Sequence, residues 1–143
     1  MRVVVVGASS GLGRSIGIGL ARGGARVALL GRREQLLRAA AEDAGPHAIG
    51  IRCDVTDETS CRDAVGAAAA GLGEIDALVY AAGVGPLARI ADMDVATWRW
   101  VLDTNVTGAA ITTAAALPHL SRARGTAVYL SSVRSEEHTS ELQ

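Results

Sequence analysis

The stretch Val3-Val4-Val5-Val6-Gly7-Ala8-Ser9-Ser10-Gly11-Leu12-Gly13 decides how the chain folds. Four valines make a short strand with no polar face, the pattern of a strand covered on both sides. A glycine-rich turn follows, and a helical pattern begins within it. Gly7 allows the tight turn, Gly11 lets backbone approach an anion, and Gly13 lets the helix sit close to the strand. The helix start offers unpaired N–H groups and the positive end of its dipole. Strand, turn and helix, with a second strand about twenty residues on, form the setting in which such a turn cradles a pyrophosphate. Gly7, Ser9, Ser10, Gly11, Leu12 and Gly13 are therefore the first candidates for binding a dinucleotide.

Outward from this turn, strand and helix signals alternate. Strands are expected at residues 26–30, 48–53, 75–80 and 126–130. Helices are expected at 12–22, closed by Gly23-Gly24, and at 34–44, closed by Gly45-Pro46. A third spans 57–72 with Asp57 as N-cap, and one long helix spans 94–120 with Pro118 near its end. Gly17 and Gly19 lower the propensity of the first helix, so packing must hold it. The alternation predicts an α/β protein, a doubly wound parallel sheet with right-handed crossovers and helices on both faces. Ligand-binding groups should gather at the carboxyl ends of its strands.

Composition agrees with one such domain. The chain has 143 residues, 49% hydrophobic and 3% aromatic with no Phe, so Ala, Val, Leu and Ile must build the core. A chain of this length can bury roughly two-thirds of its unfolded surface. A formal net charge of −1 gives no electrostatic footprint for nucleic acid or a membrane surface. No apolar run is long enough for a membrane span, and the start lacks the parts of a signal peptide. Cys53 and Cys61 have neither a metal spacing nor a disulfide framework, so reduced thiols in a cytoplasmic protein are expected. All 14 basic residues are arginines, and the chain contains no lysine.

Five landmarks in order carry a family resemblance: Gly7–Gly13, Asp54-Val55, Ala81-Ala82-Gly83, Asn105 and Ser131-Ser132. From residue 1 to about residue 133 the chain resembles the short-chain dehydrogenase/reductases. The resemblance implies a Rossmann sheet of order 3-2-1-4-5 and hydride transfer between a nicotinamide cofactor and a carbonyl or alcohol carbon. It also implies a small-molecule substrate and a homo-oligomeric whole protein. Asp54 and Val55 would hold the adenine, and Ala81, Ala82 and Gly83 would border the cofactor ribose. Asn105 would bend the long helix and hold a water of the proton relay. Ser132, with Ser131 as fallback, would hydrogen-bond the substrate carbonyl. Ala81 and Val6 stand where the family often has Asn and Thr, so two bracing hydrogen bonds are expected to be missing.

After the second strand comes Gly31-Arg32-Arg33, where an NAD-preferring site usually offers a carboxylate. A guanidinium can bind a 2′-phosphate bidentately. NADPH is therefore expected over NADH, with Arg32 as main ligand and Arg33 as helper.

The family's proton donor is a Tyr followed four positions later by Lys, whose ammonium lowers the tyrosine pKa. Here the tyrosines are Tyr80 and Tyr129, followed at that distance by Val84 and Val133. The last ten residues, Arg134-Ser135-Glu136-Glu137-His138-Thr139-Ser140-Glu141-Leu142-Gln143, contain no Ala, Gly or Val. The DNA read AGATCGGAAGAGCACACGTCTGAACTCCAG, which resembles a common sequencing adapter, encodes them codon by codon. The expectation is an incomplete Rossmann domain over 1–133, truncated after the fifth strand, followed by a non-native or disordered tail over 134–143. The parent would be a single domain of about 250 residues. Such a fragment would bind cofactor without catalysis. The alternative is a non-catalytic dinucleotide-binding module.

Overall fold

A computed structural model of the chain describes residues 1–132. Val133 and the expected tail lie outside the described residues. The strands are β1 (Arg2–Val6), β2 (Arg26–Gly31), β3 (Ala48–Arg52), β4 (Ala77–Tyr80) and β5 (Thr126–Tyr129). The helices are α1 (Gly11–Arg22), α2 (Glu34–Ala44), α3 (Glu58–Leu72), α4 (Val95–Leu102) and α5 (Gly108–Ala123). All four strand pairings are parallel, in the order β3-β2-β1-β4-β5. This is the expected doubly wound sheet.

The valine run explains why the sheet carries two helix layers. Successive side chains of a strand point to opposite faces. Val3 and Val5 pack with Leu29, Leu37 and Ala40 on the α1/α2 side. Val4 and Val6 pack with Leu30, Val65, Leu78 and Ala116 on the α3/α5 side. Gly17 is buried in α1, where an added Cβ would run into the Leu29 side chain. The poor helix former is thus what lets α1 approach β2. Asp57 caps α3 as expected, accepting from the Ser60 N–H at 2.9 Å.

The expected single helix over 94–120 divides into α4, a π-helical turn at Asp103–Thr107, and α5. At this turn the Gly108 N–H reaches back five residues to the Asp103 carbonyl. The helical path continues, but one extra residue is accommodated, a form that recurs at functional positions.

Arg2 ties the start of β1 to β4. Its backbone N–H and Nε donate to Asp76 Oδ2 at 2.7 and 3.0 Å, and Nη2 donates to Oδ1 at 2.6 Å. The Arg2 hydrogen bond holds the Asp76 carboxyl down at about 2. A carboxyl depressed in the folded state stabilises above its unfolded pKa of about 4 and loses that contribution as pH falls. Asp76→Asn should therefore cost about 1 kcal/mol at pH 7, a figure reduced because the pair is partly exposed. Urea denaturation should show the gap closing between pH 4 and 2; a gap constant with pH would contradict the assignment.

Candidate functional site

The carboxyl ends of β1 to β4 and the π turn meet around a cavity of about 340 Å³. Its lining comprises Gly7 and Ser9–Leu12 from the glycine turn, Gly31–Arg33 after β2, Cys53–Thr56 after β3, Ala81–Val84 after β4, and Thr104. All the sequence-predicted cofactor residues line it except Gly13, which sits behind the turn.

The turn is built from backbone. The Gly7 and Ala8 N–H groups both donate to the Leu30 carbonyl at 2.9 Å, anchoring it to β2. The Ala81 N–H donates to the Val6 carbonyl at 2.9 Å, joining β1 to β4 past the strand ends. These main-chain bonds hold the places where Val6 and Ala81 carry no side-chain donor. Gly7 has φ +81°, and a Cβ on it would lie 2.5 Å from the Ala82 nitrogen. A Cβ on Gly13 would run into the Gly7 carbonyl oxygen. Gly11 has φ +57° and open space where its Cβ would be.

Anion-binding capacity follows from what the turn leaves unpaired. Ser10 occupies the N-cap of α1 without a side-chain cap bond. Among the described residues the N–H groups of Gly11, Leu12 and Gly13 have no acceptor. Gly11 and Leu12 line the strand-end cavity at the positive end of the α1 dipole, while Gly13 packs behind the turn.

Arg33 occupies the α2 N-cap and turns its guanidinium back to the glycine turn. Its Nη2 donates to Ser10 Oγ at 2.6 Å and to Ser9 Oγ at 3.0 Å, and Nε donates to Ser9 Oγ at 3.3 Å. The two hydroxyls and the guanidinium form one cluster on the cavity wall. Arg32 lines the same cavity. Asp54 faces them, its Oδ1 accepting the Thr56 hydroxyl at 2.7 Å and the Thr56 N–H at 3.0 Å. These bonds, with the Arg32 and Arg52 charges, hold the Asp54 carboxyl below the usual carboxylate range.

Asn105 stands in the π turn. Its Oδ1 accepts the Val84 N–H and its Nδ2 donates to the Val84 carbonyl, both at 2.8 Å. The amide thereby clamps the segment after β4. Ser131 and Ser132 are exposed beyond β5 and do not line the cavity. Neither tyrosine is placed as a proton donor. The Tyr80 hydroxyl is buried against the Thr104 carbonyl at 2.6 Å, and burial pushes its pKa up. The Tyr129 hydroxyl pairs with Thr113 Oγ1 at 2.7 Å.

Sequence reasoning did not single out Cys53, Thr56, Val84 or Thr104. Thr56 had a local signal, since Asp54-Val55-Thr56 is an Asx-type turn. The others reach the cavity by long-range packing. Both cysteines are buried and free. The neighbouring Cys61 thiol and burial push the Cys53 thiol up.

A parallel doubly wound sheet with an open glycine turn beneath its strand ends defines a dinucleotide-binding protein of the Rossmann type. Within that class, the chain belongs to the short chain dehydrogenase family, whose profile matches residues 1–142. It is 40% identical over 134 residues to cis-4-hydroxycyclohexanecarboxylate dehydrogenase of Sinomonas cyclohexanicum, covering 91% of this chain and 54% of the relative. It is 36% identical over 135 residues to serine 3-dehydrogenase of Agrobacterium fabrum (strain C58 / ATCC 33970), covering 92% and 53%. Among solved structures, a variant actinorhodin polyketide ketoreductase with NADPH superposes with a TM-score of 0.85 at 32% identity, covering 91% and 52%. The chain spans about half the length of these relatives. Among the described residues no helix is long and apolar enough to cross a membrane.

Proposed function

We propose that the chain is the cofactor-binding part of an NADP-dependent oxidoreductase that acts on a small carbonyl or alcohol compound. The observation that carries this reading is the pair of cavity-lining N–H groups of Gly11 and Leu12, without acceptors among the described residues, beside the Arg33–Ser9–Ser10 cluster. The cavity residues fit an NADP molecule. Gly11 and Leu12 would hold the pyrophosphate, with Gly13 seating α1 against the turn; Asp54 and Val55 would hold the adenine, and Ala81, Ala82 and Gly83 the ribose beyond. Arg32 and Arg33 would hold the 2′-phosphate. Arg33 is the fixed arm because Ser9 and Ser10 already orient it. The free, buried cysteines accord with a reducing, cytoplasmic setting.

When bound, the cofactor supplies or accepts the hydride. This chain's part is to bind and orient. Asn105 and Ser132 are the residues proposed to serve the proton relay and the substrate carbonyl. A proton donor with a matched pKa is still required. Tyr80 and Tyr129 are committed elsewhere, and no lysine exists to assist either. We therefore place the Tyr-x-x-x-Lys pair in a longer parent, which the length of the relatives supports. The last ten residues, 134–143, are read as adapter-encoded. A second reading, a non-catalytic dinucleotide-binding module, rests on the absence of lysine from all 143 residues.

The source locus separates the two. A reading frame that continues past Val133 with Tyr-x-x-x-Lys about a dozen codons after Ser132 is expected. Its product should oxidise NADPH with a carbonyl substrate, while the 143-residue chain binds without turnover. A genuine stop codon after Gln143 would favour the binding module.

A further inference from the structure

The π turn has an unusual partner. Because the Gly108 N–H bonds the Asp103 carbonyl, it leaves the Thr104 carbonyl that an α-helix would have given it. That carbonyl accepts the Tyr80 hydroxyl at 2.6 Å. The bond is buried, and Tyr80 is only 3% exposed at the end of β4. The helix makes room for the phenol through Gly108, where an added Cβ would lie 2.7 Å from Tyr80 Oη. The next residue, Asn105, spends Oδ1 and Nδ2 on the backbone of Val84. Val84 is itself four residues after Tyr80, so the contacts close a circuit from β4 to the π turn and back to the loop after β4. Thr104 and the Ala81–Val84 segment are both walls of the cavity.

We propose that Tyr80 is a positioning residue of the nucleotide cavity: its hydroxyl holds Thr104, which fixes Asn105 as the clamp on Val84 and sets the Ala81–Val84 wall. The significance for the cofactor rests on the nucleotide-site reading; the mechanical link does not. A buried carbonyl with no donor is costly, so loss of the phenol hydroxyl would favour rearrangement of the π turn. A ring without the hydroxyl would still fill the core, so Tyr80→Phe isolates the bond.

The test is amide hydrogen exchange on the 143-residue chain and its variants, read at Val84 and at the core strand residues Val4 and Leu29. In Tyr80→Phe the Val84 amide should exchange about tenfold faster while Val4 and Leu29 are unchanged. Asn105→Ala should free the same amide, and the double variant should add little, because both act through one clamp. NADPH should bind Tyr80→Phe about threefold to tenfold more weakly than the parent chain. An unchanged Val84 rate, equal acceleration of the core amides, or fully additive single effects would each overturn the positioning role. So would faster Val84 exchange with unaltered NADPH affinity. Failure of the parent chain itself to bind NADPH would strike the nucleotide reading and leave the Val84 result standing as the test of the link.

Discussion

Gly7→Ala is expected to cost about 3–5 kcal/mol and to abolish nucleotide binding. Two effects add. The backbone is left-handed at φ +81°, which costs an alanine about 1–2 kcal/mol. The new Cβ would also sit 2.5 Å from the Ala82 nitrogen, 2.7 Å from its Cα and 2.8 Å from the Ala81 carbonyl carbon. Those are main-chain atoms at the end of a central strand, and no rotamer change relieves them. Separation of the turn from Ala81–Ala82 would strain the Ala81–Val6 hydrogen bond and the β1–β4 pairing. A typical domain has only about 5–15 kcal/mol in hand, so the loss consumes much of it. Gly11→Ala is the control. Its φ is +57° but nothing lies within 4 Å, so only the conformational cost of about 1 kcal/mol applies to stability. Urea denaturation of both variants reads the contrast. Equal midpoints would show that crowding at Ala82 has no weight.

The second large effect concerns the arginines. Replacing both Arg32 and Arg33 by alanine should weaken NADPH binding about 300-fold while leaving NADH binding within about threefold, because charge-assisted bonds to a phosphate contribute about 1.5–3 kcal/mol each. The sequence pattern made Arg32 the main ligand and Arg33 the helper; the Arg33 contacts to Ser9 and Ser10 reverse that order, so Arg33→Ala should account for the larger share. It removes a charge that Ser9 and Ser10 already orient, so little ordering entropy opposes its binding. Arg32→Ala should cost about tenfold. Calorimetric titration of each variant with both cofactors gives the four affinities. Parallel losses for NADH and NADPH would show that the arginines serve the turn rather than the 2′-phosphate.

The fold was legible because its signals are local. The valine run, the spacing of the three glycines and the Asp57 cap each follow from a few neighbouring residues, whereas the strand order came with the family resemblance. The glycine turn was legible for the same reason, while Asp54, Val55, Ala81, Ala82 and Gly83, which line the cavity, came with the family resemblance. The π turn was not. Residues 94–120 read as one long helix bent at Asn105, and the extra residue leaves the Thr104 carbonyl to Tyr80, 24 positions away. The use of Arg33 on Ser9 and Ser10 was equally hidden, since 23 and 24 residues separate the partners. Cys53 and Thr104 carry no motif and reach the cavity only through packing. Ser132 could be placed in order along the chain but not against the cavity, because it lies past the outermost strand on this side.

The central claim is that this turn and these arginines bind a 2′-phosphorylated dinucleotide. Equilibrium titration of the 143-residue chain with NADPH and, separately, with NADH tests it most directly. Saturable binding at one site is predicted, with NADPH at least about tenfold tighter than NADH. Equal affinity for the two would contradict the 2′-phosphate assignment, and no binding of either would contradict the dinucleotide site itself.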